Sequence, residues 1–375
     1  MKRLSVEELA KKVLNKEATV LLDVRSVEDF QDWKVESNHF QYVNHPFSAW
    51  DGQVDQIASD LPSKDQEIVV ICARGNSSQK AAKALIEAGY ENVYSVEGGM
   101  RAWSEHLEPV KIGNLTDGGE LYQFVRLGKG CLSYVVMKDQ EAVIIDPTRM
   151  TDKFINFTDE KGVTIKHVID THLHADHISG GHELANQTDS TYWLPPEDAD
   201  EVVFSYEPLE NETEITIGDS PVSIQAVYSP GHTKGSTSLL IDKQYLLSGD
   251  ILFIESIGRP DLAGKAAAWV NDLRNTLYEK YPDFSDDLIV LPAHYSSIDE
   301  MNEKGTVAEK LGVLYEKNKG LQVEDAEEFQ RMVTENLPPQ PNDHERIRQV
   351  NMGKESADPE ERREMEIGPN RCAVK

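Results

Sequence analysis

At 375 residues, with 39% hydrophobic residues and 13 Tyr, 10 Phe and 5 Trp, the chain is long enough for two or more globular domains, each with its own core. Its 38 Lys and Arg against 66 Asp and Glu give a formal charge of −28, which argues against nucleic-acid and anionic-membrane partners, whose phosphates would be repelled. No apolar run has membrane length and Met1 to Glu8 carries no apolar signal segment, so a cytoplasmic location is expected. The three cysteines, Cys72, Cys131 and Cys372, are too few for a disulfide framework and read as reduced thiols with individual roles.

Ser5-Val6-Glu7-Glu8 is a capping box, and Leu4, Leu9, Val13 and Leu14 supply the apolar face of the helix behind it. Thr19 to Val24 is a β-branched and leucine-rich strand, and Glu67 to Ile71 is a second buried strand that delivers Cys72 at its carboxyl end. Ser77 to Ala88 follows as an amphipathic helix. Strands alternating with helices predict a parallel α/β sheet with any site at the carboxyl ends of the strands. The loop Cys72-Ala73-Arg74-Gly75-Asn76-Ser77-Ser78 wraps a helix amino terminus, where backbone N–H groups and the Arg74 charge favour a thiolate and hold an anion or a persulfide sulfur. By residue type alone, a small buried cysteine closing a strand is the better reading of Cys72.

Leu21-Leu22-Asp23-Val24-Arg25, the Cys-x-x-Gly loop of Cys72 to Gly75, and Val96-Glu97-Gly98-Gly99-Met100-Arg101-Ala102-Trp103 resemble a rhodanese domain in order and spacing over roughly residues 1 to 108. That resemblance implies that Cys72 carries sulfane sulfur as a persulfide, with Arg74 and Gly75 in its loop. The chain departs from the family where Glu36-Ser37-Asn38-His39-Phe40 replaces a Gly-His-Ile-x-Gly-Ala segment, and where Ser77 and Ser78 stand at a place often held by arginine.

Pro109 to Gly119 is polar and glycine-containing and is taken as the boundary, giving domains 1–110 and 111–375. Strands are predicted at Leu121 to Leu127, Ser133 to Met137 and Ala142 to Asp146. Next comes Ile169-Asp170-Thr171-His172-Leu173-His174-Ala175-Asp176-His177, where three histidines and an aspartate fall within six residues on a strand-to-helix turn. Imidazole and carboxylate packed this closely call for a first-row transition metal, because without a cation they repel protons and one another. Three later strands also end in a ligand type: Val222 to Tyr228 before Gly231-His232, Tyr245 to Leu247 before Gly249-Asp250, and Leu288 to Leu291 before His294. Singly these would be a turn residue, a helix cap and a core histidine; together they make seven ligands on strand ends.

His172-x-His174-x-Asp176-His177, Gly231-His232, Gly249-Asp250 and His294 resemble the metallo-β-lactamase fold over residues 112 to about 318. The resemblance implies an α/β chain: a rhodanese-like parallel sheet with helices on both faces, then an αβ/βα four-layer sandwich with the metal at the edge of its paired sheets. Ile257-Gly258-Arg259-Pro260-Asp261-Leu262 and the tail Ile367-Gly368-Pro369-Asn370-Arg371-Cys372-Ala373 resemble segments of the persulfide dioxygenases. By that resemblance His172, His232 and Asp250 bind one Fe(II) per chain, with positions left for O2 and a low-molecular-weight thiol persulfide, and the products are sulfite and thiol. His174, Asp176, His177 and His294 then orient ligands and move protons, and Arg259, Asp261, Arg371 and Cys372 belong to the substrate pocket. Cys72 would pass sulfane sulfur in either direction, yielding thiosulfate when sulfite is the acceptor. A homo-oligomer, dimer or tetramer, is expected from relatives of the metal domain.

The alternative is a binuclear zinc thioester hydrolase resembling glyoxalase II: His172, His174 and His232 on one zinc, Asp176, His177 and His294 on the second, Asp250 bridging, and a hydroxide attacking the carbonyl. A sulfur carrier or sensor with a structural metal is a third reading. After His294, helices are predicted over Thr306 to Lys317 and Val323 to Asn336, with Pro338 stopping the second. Ser356 to Glu366 reads as a polar, disordered stretch.

Overall fold

A computed structural model describes residues 1–116, 118–260, 266–335 and 343–369. The described residues divide into two compact units, one of residues 1–108 with 126–130 and 367–369, the other built from residues between 109 and 125 and between 131 and 366.

The first unit is built on strands β1 (Lys2–Leu4), β2 (Thr19–Asp23), β3 (Phe40–Asn44), β4 (Glu67–Ile71) and β5 (Asn92–Val96). They form one sheet in the order β1-β5-β4-β2-β3, with all neighbours parallel. β2 is buried throughout, which is why it reads as an unbroken apolar run rather than an alternating one. The capping box forms as expected at the helix Val6–Leu14, Ser5 and Glu8 each satisfying the other's backbone N–H. Leu4, expected on that helix face, lies instead in β1 and is buried there, paired with Val96. Ile68, Val70, Ala81, Ala82 and Leu85 place the helix Asn76–Glu87 against β4 in the unit's core.

The second unit holds two sheets. The first comprises β6 (Glu108–Asn114), β7 (Glu120–Arg126), β8 (Cys131–Lys138), β9 (Glu141–Ile145), β10 (Thr164–Ile169), β11 (Thr191–Leu194) and β12 (Glu207–Pro208), in the order β12-β11-β10-β9-β8-β7-β6. The other comprises β13 (Glu214–Ile217), β14 (Val222–Tyr228), β15 (Thr237–Ile241), β16 (Tyr245–Gly249), β17 (Ile289–Pro292) and β18 (Glu309–Lys310), in sequential order. β9 to β12 run parallel to one another, and β16 and β17 are parallel inside an otherwise antiparallel sheet. The strands expected to carry ligands are β10, β14, β16 and β17. Outside the second sheet, Leu273, Leu277, Leu311, Leu314, Phe329 and Val333 from three helices pack with Leu246 and Val290.

Three segments differ from expectation. The polar stretch from Pro109 to Gly119, where no strand was predicted, includes most of β6, an edge strand whose half-exposed residues lack the apolar run of a buried one. The helix expected from Thr306 begins only at Leu311, because Val307 bridges to Met301 and Glu309–Lys310 pairs with β17 as β18. Ser356 to Glu366 is ordered: a helix spans Pro359–Glu366, and Ala357 and Met365 pack with Ile178, Ile347 and Val350. Burying such side chains contributes about 1.5–3 kcal/mol each, enough to anchor a polar helix by one face.

Candidate metal centre and sulfur site

β10 ends at Ile169, and the next eight residues form the ligand loop. The Asp146 carboxylate, at the end of neighbouring β9, accepts from Thr171 N at 2.7 Å and from Thr171 Oγ1 at 2.9 Å. Because that hydroxyl spends its hydrogen on Asp146, it can only accept from His172 Nδ1, 3.0 Å away. His172 Nε2 is thereby left as a bare lone pair, buried and without a hydrogen-bond partner. His232, after β14, is assigned in the same way: Nδ1 donates to Arg259 O at 2.9 Å, freeing Nε2. Asp250, after β16, completes the group, with Oδ2 lying 3.8 Å from His172 Nε2 and 3.4 Å from His232 Nε2.

The Arg259 carbonyl reaches His232 because the chain folds back after Asp250. Gly258 N donates to Ile251 O, and a Cβ on Gly258 would stand 1.9 Å from Asp250 O, so only glycine allows this return.

A second group lies beside the first. His294, after β17, donates from Nδ1 to Asp250 Oδ1 at 2.6 Å, and its Nε2 is 2.9 Å from Asp176 Oδ2. His177 Nδ1 is 3.0 Å from Asp176 Oδ1. Cys131 enters because the first residue of β8 bridges to His294; its Sγ is 3.8 Å from Asp176 Oδ2. His174 turns Nε2 toward Asp146 Oδ1 at 3.3 Å and leaves Nδ1 buried and unpaired. All eight of these side chains are at most 2% exposed.

Burial, reinforced by neighbouring His174, pushes the His172 imidazole well below its ordinary value, and burial also lowers His232. Both are neutral donors. Burial alone would raise the Asp250 carboxyl, but the charge and hydrogen bond of His294 override it and keep the group ionised below the usual carboxylate range. Against a similar burial penalty, Asp250 and Asp176 hold His294 well above the ordinary histidine value, and Asp176 and Cys131 bring His177 up to about 10. Two neutral imidazoles and a carboxylate converging without protons form a site that fits a divalent cation.

The ligand loop is held from several sides. Asp198 accepts from Leu173 N, from Thr233 Oγ1 and from Gly235 N, tying the loop to the segment that carries His232. Asn351, the last residue of the helix His344–Asn351, donates to His174 O and His177 O and accepts from Ser179 N. Glu366 accepts from Ile178 N.

In the first unit, Cys72 is buried at the end of β4, and Gly75 N donates to its Sγ at 3.1 Å. The thiol donates to Ser78 Oγ at 3.4 Å, and Ser95 Oγ donates to Ser78 Oγ at 3.0 Å. Arg74 lies in the same loop with an exposed side chain. The Gly98-Gly99 turn lets Met100 N and Arg101 N donate to Cys72 O and Ala73 O. A Cβ on Gly99, whose φ is +60°, would lie 2.1 Å from Cys72 O. In the Leu21 to Arg25 segment, Arg25 forks onto the Asp23 carboxylate and also donates to Trp33 O, a buried structural pairing.

Residues 5–106 match the rhodanese-like domain family and residues 127–295 the metallo-beta-lactamase superfamily. The chain is a rhodanese-like domain fused to a metallo-beta-lactamase superfamily domain. A probable metallo-hydrolase of Bacillus subtilis, YqgX, is 28% identical over 191 residues, which is 46% of this chain and 88% of that protein. A metallo-beta-lactamase structure from Staphylococcus aureus superposes with a TM-score of 0.57 at 25% identity, covering 64% of this chain and 73% of the other. ETHE1 from Myxococcus xanthus superposes with a TM-score of 0.53 at 22% identity, covering 63% and 99%, a likeness of fold. The two families together indicate an enzyme. No helix among the described residues is long and apolar enough to cross a membrane.

In the metallo-beta-lactamase domain the structure groups His172, His232 and Asp250 as one donor set, and Asp176, His177 and His294, with Cys131, as another; His174 falls with Asp146 and Asp170. Arg259 contributes its carbonyl to His232 and is itself buried. Asp261, Arg371 and Cys372, expected in the substrate pocket, lie outside the described residues. Cys131, Asp146, Thr171, Asp198, Asn351 and Glu366 were not singled out as site residues from sequence. Asp146 and Thr171 carried a usable signal, a strand-end carboxylate and a hydroxyl adjoining the first histidine. In the rhodanese-like domain, Ser95 was likewise unforeseen.

Proposed function

We propose that the chain is a persulfide dioxygenase with an attached sulfurtransferase: the metallo-beta-lactamase domain holds one Fe(II) on His172, His232 and Asp250 and oxidises a low-molecular-weight thiol persulfide. One persulfide, one O2 and one water give thiol, sulfite and two protons. The observation that carries this reading is the first donor set itself, two unprotonated imidazole nitrogens and one carboxylate oxygen, with Asp250's other oxygen engaged by His294. Iron bound there would supply O2 activation beside a coordinated sulfur anion.

The chain's own residues do the rest. Asp146 and Thr171 hold His172 in the tautomer that presents Nε2, and the Arg259 carbonyl does so for His232. His294 fixes the Asp250 carboxylate and is placed to give or take a proton at Nδ1. Cys72, with its sulfur facing the Gly75 N–H and the Ser78 hydroxyl, accepts sulfane sulfur as a persulfide. Transfer from that persulfide to sulfite forms the S–S bond of thiosulfate and returns the Cys72 thiolate. The sequence resemblances at Gly258-Arg259-Pro260 and in the tail support the same assignment.

The second reading, a binuclear zinc thioester hydrolase, has two observations in its favour: His174 Nδ1 is buried and unpaired, and a second donor group adjoins the first. Oxygen uptake with glutathione persulfide, set against hydrolysis of S-lactoylglutathione by the same preparation, separates the two. Thioester cleavage without persulfide-dependent oxygen uptake would overturn the dioxygenase reading.

A further inference from the structure

We propose that Thr276 and Asn318 are positioning residues for His232: Thr276 holds the chain that carries the imidazole, and Asn318 holds the loop that supplies the carbonyl to its Nδ1. His232 differs from the other donors of its set in what orients it. Thr171 and Asp146 orient His172 through their side chains, and His294 orients Asp250, whereas the partner of His232 is a backbone oxygen, Arg259 O. A backbone acceptor is only as well placed as the loop that bears it.

That loop, residues 251–258, leaves the end of β16 and turns back on itself, Leu252 bridging to Ile257 and Phe253 N donating to Ser256 O. The buried Asn318 amide reaches three of its carbonyls, donating to Phe253 O at 3.0 Å, Ile254 O at 3.3 Å and Ser256 O at 2.9 Å. Gly320 N donates to Asn318 Oδ1 at 2.9 Å, so these partners permit only one orientation of the side chain. Without that amide, three carbonyls of the loop lose a donor. Gly320 also lies directly on the loop, where a Cβ would stand 2.7 Å from Ile257 Cγ2.

On the other side of His232, the helix Ala266–Asn275 widens into a π-helical turn, Thr276–Lys280. Such turns are rare and recur at functional sites. Here the buried Thr276 Oγ1 donates to Pro230 O at 2.8 Å, two residues before His232, and Lys280 Nζ donates to Tyr228 O at 2.7 Å. Gly231 rests on the same helix, where a Cβ would stand 2.6 Å from Leu273 Cα. Residues four apart share a helix face and the one midway faces away, so Tyr278 points elsewhere and donates to Gly320 O at 2.9 Å. One turn of helix thus joins the chain before His232 to the clamp on the loop that leads to Arg259.

With Nδ1–H held on Arg259 O, the ring presents a bare Nε2. Loosening either side lets the proton move to Nε2, the nitrogen that must be free to bind a metal. Both functional readings use His232 as a metal donor, and the positioning role rests on that shared feature, whichever ion is bound.

The test uses metal-free, full-length protein carrying isotope-labelled histidine. Long-range proton–nitrogen correlation spectra show which ring nitrogen of His232 bears the proton, with His232→Ala assigning the signal. Wild type and Thr276→Ser should show Nδ1–H alone, whereas Thr276→Val and Asn318→Ala should show a mixture with the Nε2–H form. Competition with a chromophoric chelator for Co(II) should give an affinity lower by roughly 10- to 100-fold in Thr276→Val and Asn318→Ala, with Thr276→Ser near wild type. A merely structural role would lower the melting temperature of these variants without moving the proton. Should Asn318→Ala fail to fold, Thr276→Val against Thr276→Ser decides. Wild-type Co(II) affinity in His232→Ala would overturn the donor assignment and the positioning role with it. Where His232→Ala is weakened, an unchanged tautomer in Thr276→Val, or a Thr276→Ser protein as impaired as Thr276→Val, would overturn the positioning role alone.

Discussion

Asn351→Ala tests how the ligand loop is held. The Asn351 amide donates to His174 O at 3.0 Å and His177 O at 2.9 Å and accepts from Ser179 N at 3.0 Å, so one side chain closes three backbone groups of the loop. Two carbonyls and one N–H around it permit only one orientation of the amide. At a net value of about 1 kcal/mol per hydrogen bond, the alanine variant loses about 3 kcal/mol, or about 2 kcal/mol if water replaces part of it. The empty loop relaxes in the variant, and metal binding must then close it again. With a factor of ten for each 1.4 kcal/mol or so, metal affinity should fall on the order of 30- to 100-fold. Asn351→Asp should fall further, because its carboxylate faces two carbonyl oxygens. Competition with a chromophoric Fe(II) chelator under nitrogen gives the affinity, and amide hydrogen exchange over residues 170–181 reports the loop. Unchanged affinity together with unchanged exchange in Asn351→Ala would refute the reasoning.

Thr171→Val removes the hydroxyl between Asp146 and His172 at nearly constant volume and should lower metal affinity by roughly 10- to 100-fold, with Thr171→Ser close to wild type; equal affinities in chelator competition would show that the relay does not set the His172 tautomer. Cys72→Ser should abolish sulfur transfer to cyanide or sulfite while oxygen uptake with supplied glutathione persulfide continues, and loss of both in a folded variant would contradict separate sites. Gly99→Ala, which drives a Cβ into Cys72 O, should destabilise the first unit by about 3 kcal/mol or more and remove sulfur transfer while leaving the metal content per chain intact; a calorimetric trace with an unshifted first-unit transition would count against it.

The strands that deliver ligands were legible because they are buried, and burial writes itself as short apolar runs: β10, β16 and β17 each show one, with the ligand His or Asp within three residues of the strand's end. The side chains that hold those ligands were not. Asn351 lies 174 positions from His177 in a helix whose polar sequence gives no sign of a partner. Glu366 sits in a segment so polar that it reads as disordered, yet its carboxylate is buried against Ile178 N. Cys131 is ordinary as a strand residue and becomes informative only when β8 meets β17. β6 escaped notice because an edge strand needs no apolar run, and the residues after Thr306 escaped because short strand pairing overrode a pattern that also suits a helix.

The central claim is a redox-active iron held by His172, His232 and Asp250. Protein purified under nitrogen should contain one iron per chain, and in an oxygen electrode it should consume one O2 for each glutathione persulfide, releasing sulfite in equal amount. His232→Ala should lose both the iron and the oxygen uptake. Zinc in place of iron at this set, with no oxygen consumed when persulfide is added, would contradict the account.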